Sequence, residues 1–439
     1  MRQHPRPARR RAAAAHRALA ARRRLGGRVA DRGGARVKPL IVLIGTGLQD
    51  YRGYLLEEIA PHYRLHLVSP AAPTWEAPYL AGSTQVADLG DADALTLAVK
   101  EAGAAAGVMC WDEGFVLPVA RVAEALGLPG PGAAAVAACR DKHLTRAALA
   151  AAGVGQPPSV LVTSVAEALD AAEGIGYPVV LKPRALAASL GVVRVDDPDE
   201  LAARFAFAHD TTVPGAPAHD ARVLVEGYAD GPEISVDSVV HRGRATPMIV
   251  ARKQLGYPPC FEEVGHLVDG ADPLLRDEEL AAILQRTHTA LGYGDGVTHT
   301  ELRLTADGPR VIEVNARLGG DLIGYLGARA TGVQPGLAVA ATACGERYIV
   351  PPERHTVAGV RFLYAEADDT RIGTIGFAAD GLPAAADRTV VMARPGMVVS
   401  PPPKGSALTR LGFVTAVAAT AAEVTAALDA AAGALRVTS

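Results

Sequence analysis

Apolar positions fall into short runs separated by stretches of helical spacing. The run at 40–44 reads as a buried strand, 51–59 as a helix, 65–68 and 108–110 as further strands, and 115–126 as a helix. Strand and helix signals in alternation predict a parallel, doubly wound sheet. The turn after the first strand, Gly45-Thr46-Gly47, lacks the third glycine of a dinucleotide fingerprint, since Asp50 stands there. It reads as a tight strand-to-helix turn. Gly127-Leu128-Pro129-Gly130-Pro131-Gly132 punctuates the chain, and an Ala-rich helical pattern then covers 133–152. From 178 to about 345 strand patterns dominate, with one helix near 278–291, and a further boundary falls at Pro351-Pro352. The last segment, from 355, has short strands and a closing helix at 421–435. The predicted class is α/β, with α+β character in the central part. It divides into an N-terminal doubly wound domain over 39–126, a central region over 127–350 and a C-terminal domain over 351–439.

Composition changes this picture at one end only. Of 439 residues 49% are hydrophobic and 21% charged, enough apolar matter for a sizeable core and against wholesale disorder. The net charge of −3 is a sum of unlike parts. Residues 1–38 hold thirteen Lys/Arg against Asp31 alone, a net +12, and the remainder carries −15. That head lacks an uninterrupted apolar stretch, which argues against a secretory signal, and it reads as a basic disordered extension with no nucleic-acid role. No run approaches the roughly 18 apolar residues of a membrane span. The four cysteines form no CxxC pair, so neither a zinc site nor a disulfide framework is expected, and a reducing cytoplasm is the expected compartment. Cys260 has no basic neighbour in sequence and reads as inert.

The most informative stretch is 298–317, two alternating strands around Asp307-Gly308. Leu302, Leu304, Ile312, Val314 and Ala316 would face a core, while His299, Glu301, Arg303, Glu313, Asn315 and Arg317 share the other face. Symmetry about Asp307 sets Glu301 opposite Glu313, with Cβ atoms about 5 Å apart. Two facing carboxylates repel unless a cation lies between them. With the amide oxygen of Asn315 they suit Mg²⁺ holding phosphates. The other reading is a solvated face on which Arg303 and Arg317 neutralise the acids.

Upstream, Val179-Val180-Leu181-Lys182-Pro183 ends a buried strand in a lysine, and the small-residue turn 184–192, with Ser189 and Gly191, follows. Such a turn lets backbone N–H groups approach phosphate oxygens while lysine adds a point charge. Arg222-Val223-Leu224-Val225-Glu226-Gly227-Tyr228 is a second apolar strand ending in an acid, and Glu233 opens a third. Lys142, in Arg140-Asp141-Lys142-His143, reads by itself as a solvated helix start. His299 reads as a strand histidine orienting Glu301.

The order Lys142, Lys182, Glu226-x-Tyr228, Gly231-Pro232-Glu233, Glu301, Glu313-x-Asn315-x-Arg317 resembles the ATP-grasp superfamily of carboxylate–amine ligases. Glu262-Glu263-Val264-Gly265-His266 is similar to a loop of the bacilysin-type L-amino-acid (dipeptide) ligases. Val360-Arg361-Phe362-Leu363, Pro395-Gly396-Met397 and Arg410-Leu411-Gly412 are similar to their C-terminal lid. The resemblance implies an ATP-grasp fold with a lid-like C-terminal domain, and a cytoplasmic ligase that uses ATP and Mg²⁺, with Mn²⁺ as a substitute. Its substrates would be a small carboxylate, an amino acid by preference, and an amine. Homodimers are common in such families. It implies that Lys142, Lys182, Ser189 and Gly191 hold phosphates, that Glu226, Gly227 and Tyr228 contact adenine, and that Glu233 binds ribose. Glu301, Glu313 and Asn315 would bind the metal, and Arg317, with Lys182, would stabilise the transferring phosphoryl group. Glu263, His266, Arg317 and Gly320 would face the substrates, with Asp321 bearing on the choice of amino acid. The phosphate loop departs from the pattern in being poor in glycine. The same fold also serves ligases that join a non-amino-acid acid or amine, and ATP-binding modules without turnover.

Overall fold

The computed structural model describes residues 37–212, 222–350, 355–378 and 380–438. The basic extension expected over 1–38 lies outside the described residues except for its last two, as does the boundary Pro351-Pro352.

Leu40–Ile44 is a continuous apolar run because both of its faces are covered, and all five residues are buried. It pairs in parallel with Arg64–Ser69 and with Ala105–Met109. Leu80–Gln85 completes this four-stranded parallel sheet at its edge. Sequence reading missed that strand because its residues, LAGSTQ, alternate half-buried with exposed and give little apolar signal.

The single helix expected over 133–152 is two, Ala133–Arg140 and Lys142–Ala151. Asp141 between them is extended, and its carboxylate accepts from the N–H groups of His143 and Leu144, capping the second helix. Lys142 N–H then donates to Arg184 O, which ties the helix start to the loop after strand Val179–Pro183. That strand belongs to a small antiparallel sheet in the spatial order Ser159–Val162, Val223–Gly227, Val179–Pro183, Val193–Val195. Helices Val165–Ile175 and Pro198–His209 pack on it through Ala168, Ala172, Leu201 and Phe205.

The largest sheet has eight antiparallel strands in the order Gly308–Asn315, Gly296–Thr305, Glu233–His241, Arg244–Gly256, Glu262–Asp269, Val357–Leu363, Gly412–Ala418, Ala386–Val391. The segment after 355 thus continues the sheet that Glu233 opens, through the pairing of Val357–Leu363 with Glu262–Asp269. Helix Glu278–Leu291, capped by the Asp277 carboxylate and ended by Gly292 in a left-handed conformation, packs against this sheet through Leu280 and Leu284. Elsewhere Ile249, Val360 and Phe413 share a core with Leu55 and Leu56 of helix Gln49–Ile59 and with Ile323 and Leu326 of helix Ile323–Thr331.

The hairpin register bears directly on chemistry. Thr305 pairs with Gly308, Leu304 with Pro309, Arg303 with Arg310 and Leu302 with Val311, so the turn is centred between Ala306 and Asp307 rather than on Asp307. A bulge at Ile312 adds one residue to the second strand, after which Glu301 pairs with Glu313, Thr300 with Val314 and His299 with Asn315. The two carboxylates therefore do face each other, by way of the bulge. One expectation is overturned. Ile312 does not enter the core; Val311 fills that place and Ile312 lines a cleft.

Candidate active site

The small sheet and the eight-stranded sheet bound a cleft of about 1170 Å³, its open mouth included. Lys142, Lys182, Ser189, Glu226, Gly227, Tyr228 and Glu233 line it from the nucleotide-type motifs. Glu263, Glu301, Glu313, Asn315, Arg317 and Gly320 line it from the metal and substrate motifs. Two predicted residues stand behind the wall. Gly191, at φ 73°, admits no Cβ beside Pro183, where one would approach Cγ to 2.8 Å, so its role is close packing of the loop. His266 is fully buried beneath Glu263, with Nε2 3.0 Å from Glu263 Oε2.

The loop after Lys182 compensates for its lack of glycine by strain. Leu186, Ala188 and Ser189 all take left-handed φ, at 118°, 58° and 54°. Each such residue costs on the order of 1 kcal/mol, and such strain persists where the surroundings over-determine the conformation. One determinant is Lys142, whose Nζ donates to Leu186 O at 2.6 Å. Lys142 is also 3.1 Å from Glu313 Oε1 and is buried, so it is no solvated helix start.

Glu226 is buried, and both of its oxygens are engaged. Arg146 Nε donates to Oε1 at 2.7 Å and Nη2 to Oε2 at 3.1 Å, while Lys182 Nζ lies 2.5 Å from Oε2. Burial alone would raise its pKa, but Arg146 and Lys182 outweigh it and hold the carboxyl down at about 2. Arg146 was not singled out in the sequence, although it lies four residues after Lys142 on the same helix face. A carboxyl depressed from its ordinary 4.5 to about 2 contributes stability that is present above pH 4.5 and lost as pH falls toward 2. Glu226→Gln is therefore expected to lower stability by roughly 3 kcal/mol at pH 7. Denaturant titrations should show that gap closing between pH 4.5 and 2. A gap independent of pH would contradict the pairing.

A lysine that sequence reading missed organises the opposite wall. Lys253 Nζ lies 2.7 Å from Glu233 Oε1, 2.8 Å from Glu263 Oε1 and 3.1 Å from Glu301 Oε2, with its side chain 2% exposed. In Arg252-Lys253-Gln254 it reads as an ordinary charged strand edge, and only the sheet order gathers its partners. Burial opposes its charge, yet Glu233, Glu263 and Glu301 together raise its pKa well above the usual lysine value. Glu301 is correspondingly held well below the carboxylate range: burial is outweighed by Lys253 and then by His299. His299 donates from both ring nitrogens, Nδ1 to Asp237 Oδ1 at 2.7 Å and Nε2 to Glu301 Oε1 at 3.3 Å. That matches its expected orienting role. Glu233 spends its second oxygen on Arg303 Nε at 2.8 Å.

Arg317 Nε donates to Glu113 Oε2 at 2.6 Å, and Arg140 also reaches Glu113. Glu113 follows Ala105–Met109, the fourth strand of the parallel sheet in chain order, and was not predicted. Asp321 ends the cleft wall, held by Arg410 Nη1 and Nη2 at 2.7 and 2.8 Å. Glu263, His266 and Asp321 present possible ligand atoms within 4.8 Å of one another. Both carboxylates already hold cations, Glu263 the shared Lys253 and Asp321 the guanidinium of Arg410. Tyr228 stacks on Phe261 with Arg194 4.4 Å above its ring, forming an aromatic wall.

Chemically, the cleft sets two facing carboxylates and an amide beside several cations on rigid strands. Hard-cation donors on the eight-stranded sheet and the phosphate-compatible Lys182 on the small sheet face one cleft. Among the described residues no helix is long and apolar enough to cross a membrane.

Residues 175–324 match the family model described as an ATP-grasp domain. The chain is 32% identical over 399 residues to the uncharacterized protein y4rH of Sinorhizobium fredii, covering 87% of this chain and 79% of that protein. It is 31% identical over 234 residues to the alanine–anticapsin ligase of Bacillus subtilis, 48% of each. The match thus spans about half of that ligase's length. The crystal structure of an L-amino acid ligase from Bacillus licheniformis superposes with a TM-score of 0.74 at 23% identity, over 92% of this chain and 99% of that one.

Proposed function

The chain belongs to the ATP-grasp superfamily of ADP-forming carboxylate–amine ligases, and on that premise we propose that it activates a small carboxylate, an amino acid by preference, as an acyl-phosphate and couples it to an amine, releasing ADP and phosphate. The observation that carries this reading is the Glu301–Glu313 pair with Asn315, set in one cleft with Lys142, Lys182 and Arg317. The likeness to alanine–anticapsin ligase supports the amino-acid preference.

The donor set fits Mg²⁺: two opposed carboxylates and an amide oxygen, whose charge Lys142 and Lys253 now balance. Held by Glu301, Glu313 and Asn315, such a cation would neutralise phosphate oxygens and ease the departure of ADP. The chain's own part is positioning and charge compensation, as phosphoryl transfer requires. Lys142 and Lys182 hold the phosphates from the small-sheet side, with loop N–H groups around Ser189. Glu233 and the Tyr228–Phe261 wall hold the nucleoside end. Arg317, fixed by Glu113, meets the charge on the transferring phosphoryl group while the substrate carboxylate oxygen attacks the γ-phosphorus. Glu263 orients the incoming ammonium, which gives up one proton; the free amine nitrogen then attacks the acyl carbon, the acyl C–O bond to phosphate breaks, and the departing phosphate takes up the second proton from nitrogen. The cleft must exclude water, because an acyl-phosphate hydrolyses readily.

Incubation with ATP, Mg²⁺ and pooled amino acids, with and without hydroxylamine, tests the reading. Stoichiometric ADP and a hydroxamate are expected. Absence of ADP with every acid offered would sink the ligase reading for those substrates.

A further inference from the structure

Strand Gly308–Asn315 is an edge of the eight-stranded sheet, and its bulge leaves backbone groups that the ladder does not pair. In a regular strand, successive carbonyls point to opposite edges. Those of Val311 and Ile312 instead meet one guanidinium. Arg146 Nη1 donates to Val311 O at 2.9 Å, and Nη2 donates to Ile312 O. The Val311 N–H donates to Gly155 O at 2.9 Å, just beyond the helix Lys142–Ala151 that carries Arg146. The rest of the guanidinium goes to Glu226, Nε to Oε1 and Nη2 to Oε2. Arg146 is buried and stands behind the cleft wall that Glu226, Ile312 and Glu313 form.

The same helix grips the hairpin a second time. Lys142, four residues earlier, lies 3.1 Å from Glu313 Oε1. One helix face thus holds the carboxylate of Glu313 and the two carbonyls that precede it. The alternative to the bulge is a regular ladder continued from the pairing of Leu302 with Val311. That register would set Ile312 opposite Glu301 and turn Glu313 to the core face. Two carbonyls aimed at a single fork select the bulged register against the regular one. Because the fork is shared with Glu226, the nucleotide-side strand Val223–Gly227 and the hairpin of the metal donors are fastened to the same group.

We infer that Arg146 is a positioning residue for the metal donors: its fork fixes the bulge that sets Glu313 opposite Glu301, and Glu226 ties that register to the nucleotide end of the cleft. This rests on the metal assignment within the ligase reading above. Arg146 touches neither substrate nor cation and acts through the backbone of Val311 and Ile312. A lysine in its place keeps a charge for Glu226 but cannot span both carbonyls.

The test compares full-length wild type with Arg146→Lys and Arg146→Gln. In metal-free protein, Arg146→Lys should speed amide hydrogen exchange over 308–315 by about tenfold and leave strand Glu233–His241 unchanged. Mn²⁺ binding in the presence of ADP, read by water-proton relaxation, should weaken by about tenfold, with metal-free ADP affinity kept within about threefold. The Mg²⁺ concentration giving half-maximal ADP formation should rise by a similar factor, while the ATP KM at saturating Mg²⁺ stays within about threefold. Arg146→Gln, which also takes the charge from Glu226, should add a loss of ADP affinity that the lysine variant does not show. Dissociation constants are read on the folded fraction, so partial unfolding lowers the stoichiometry and leaves the comparison intact. Wild-type exchange over 308–315 and wild-type Mn²⁺ affinity in Arg146→Lys would overturn this assignment and leave the ligase reading standing. Equal losses of Mn²⁺ affinity and metal-free ADP affinity would also overturn it, since they mark a general loosening of the cleft. Wild type that binds Mn²⁺ and ADP but forms no ADP from ATP with any acid would overturn the ligase reading, and the exchange and Mn²⁺ comparisons would still decide the role of Arg146. Wild type that binds no Mn²⁺ would overturn both.

Discussion

Glu313→Gln should reduce ADP formation by about a thousandfold or more, with the protein still folded. The side chain keeps its size, so the bulged hairpin that sets residue 313 opposite Glu301 has no reason to change register. What is lost is one of two carboxylates able to hold a hard cation, since a neutral amide is a weaker ligand. Lys142 loses its carboxylate partner but retains its bond to Leu186 O, so the loop over the phosphates keeps its anchor. Circular dichroism and thermal melting should be near wild type while turnover falls, and excess Mg²⁺ should recover only part of it. Wild-type turnover in this variant would refute the metal assignment of Glu301, Glu313 and Asn315. A variant that simply unfolds would show instead that the Lys142–Glu313 pair is structural.

How much of this was legible in the chain depends on whether the information was local. Alternation along 298–317 and a short turn were enough to bring Glu301 to Glu313, although the turn centre was misplaced by half a residue and a bulge made up the difference. The bulge itself has no signature in Val311-Ile312-Glu313, which is why Ile312 was assigned to the core. Lys142 looked like a solvated helix start, because a charged residue after Asp141 does not reveal that the helix breaks there and turns toward another sheet. Arg146 was within reach of a helical-wheel argument. Lys253 and Glu113 were not. Their partners lie on strands or loops distant in sequence, and only the order of strands in the eight-stranded sheet and the placing of the parallel sheet bring them together. Charge pairing across sheets is the part of a site that one-dimensional periodicity cannot carry.

Lys253→Met should be the most damaging single change to stability in the cleft. The variant keeps an unbranched side chain of similar length, so packing alone predicts little effect. Electrostatics predicts otherwise. Glu233, Glu263 and Glu301 converge on one ammonium that is 2% exposed, and removing it leaves three carboxylates sharing a site from which water is largely kept. Glu233 retains Arg303 and Glu301 retains His299, whereas Glu263 is left with His266 alone. Breaking a buried pair from one side costs about 3–5 kcal/mol, which a urea titration at pH 7 would register directly. The diagnostic result is an inversion of sign. Glu263→Gln in the wild-type background removes a favourable partner of Lys253 and should destabilise. In the Lys253→Met background the same substitution removes a repelling charge and should stabilise, giving a coupling energy beyond what independent sites would show. Mg²⁺ should likewise raise the melting temperature of Lys253→Met by more than that of the wild type, because a cation held at Glu301 supplies part of the missing charge. Additive effects of the two substitutions would mean that Lys253 does not act as the shared counter-charge of this wall, and that the three carboxylates are kept apart by solvent instead.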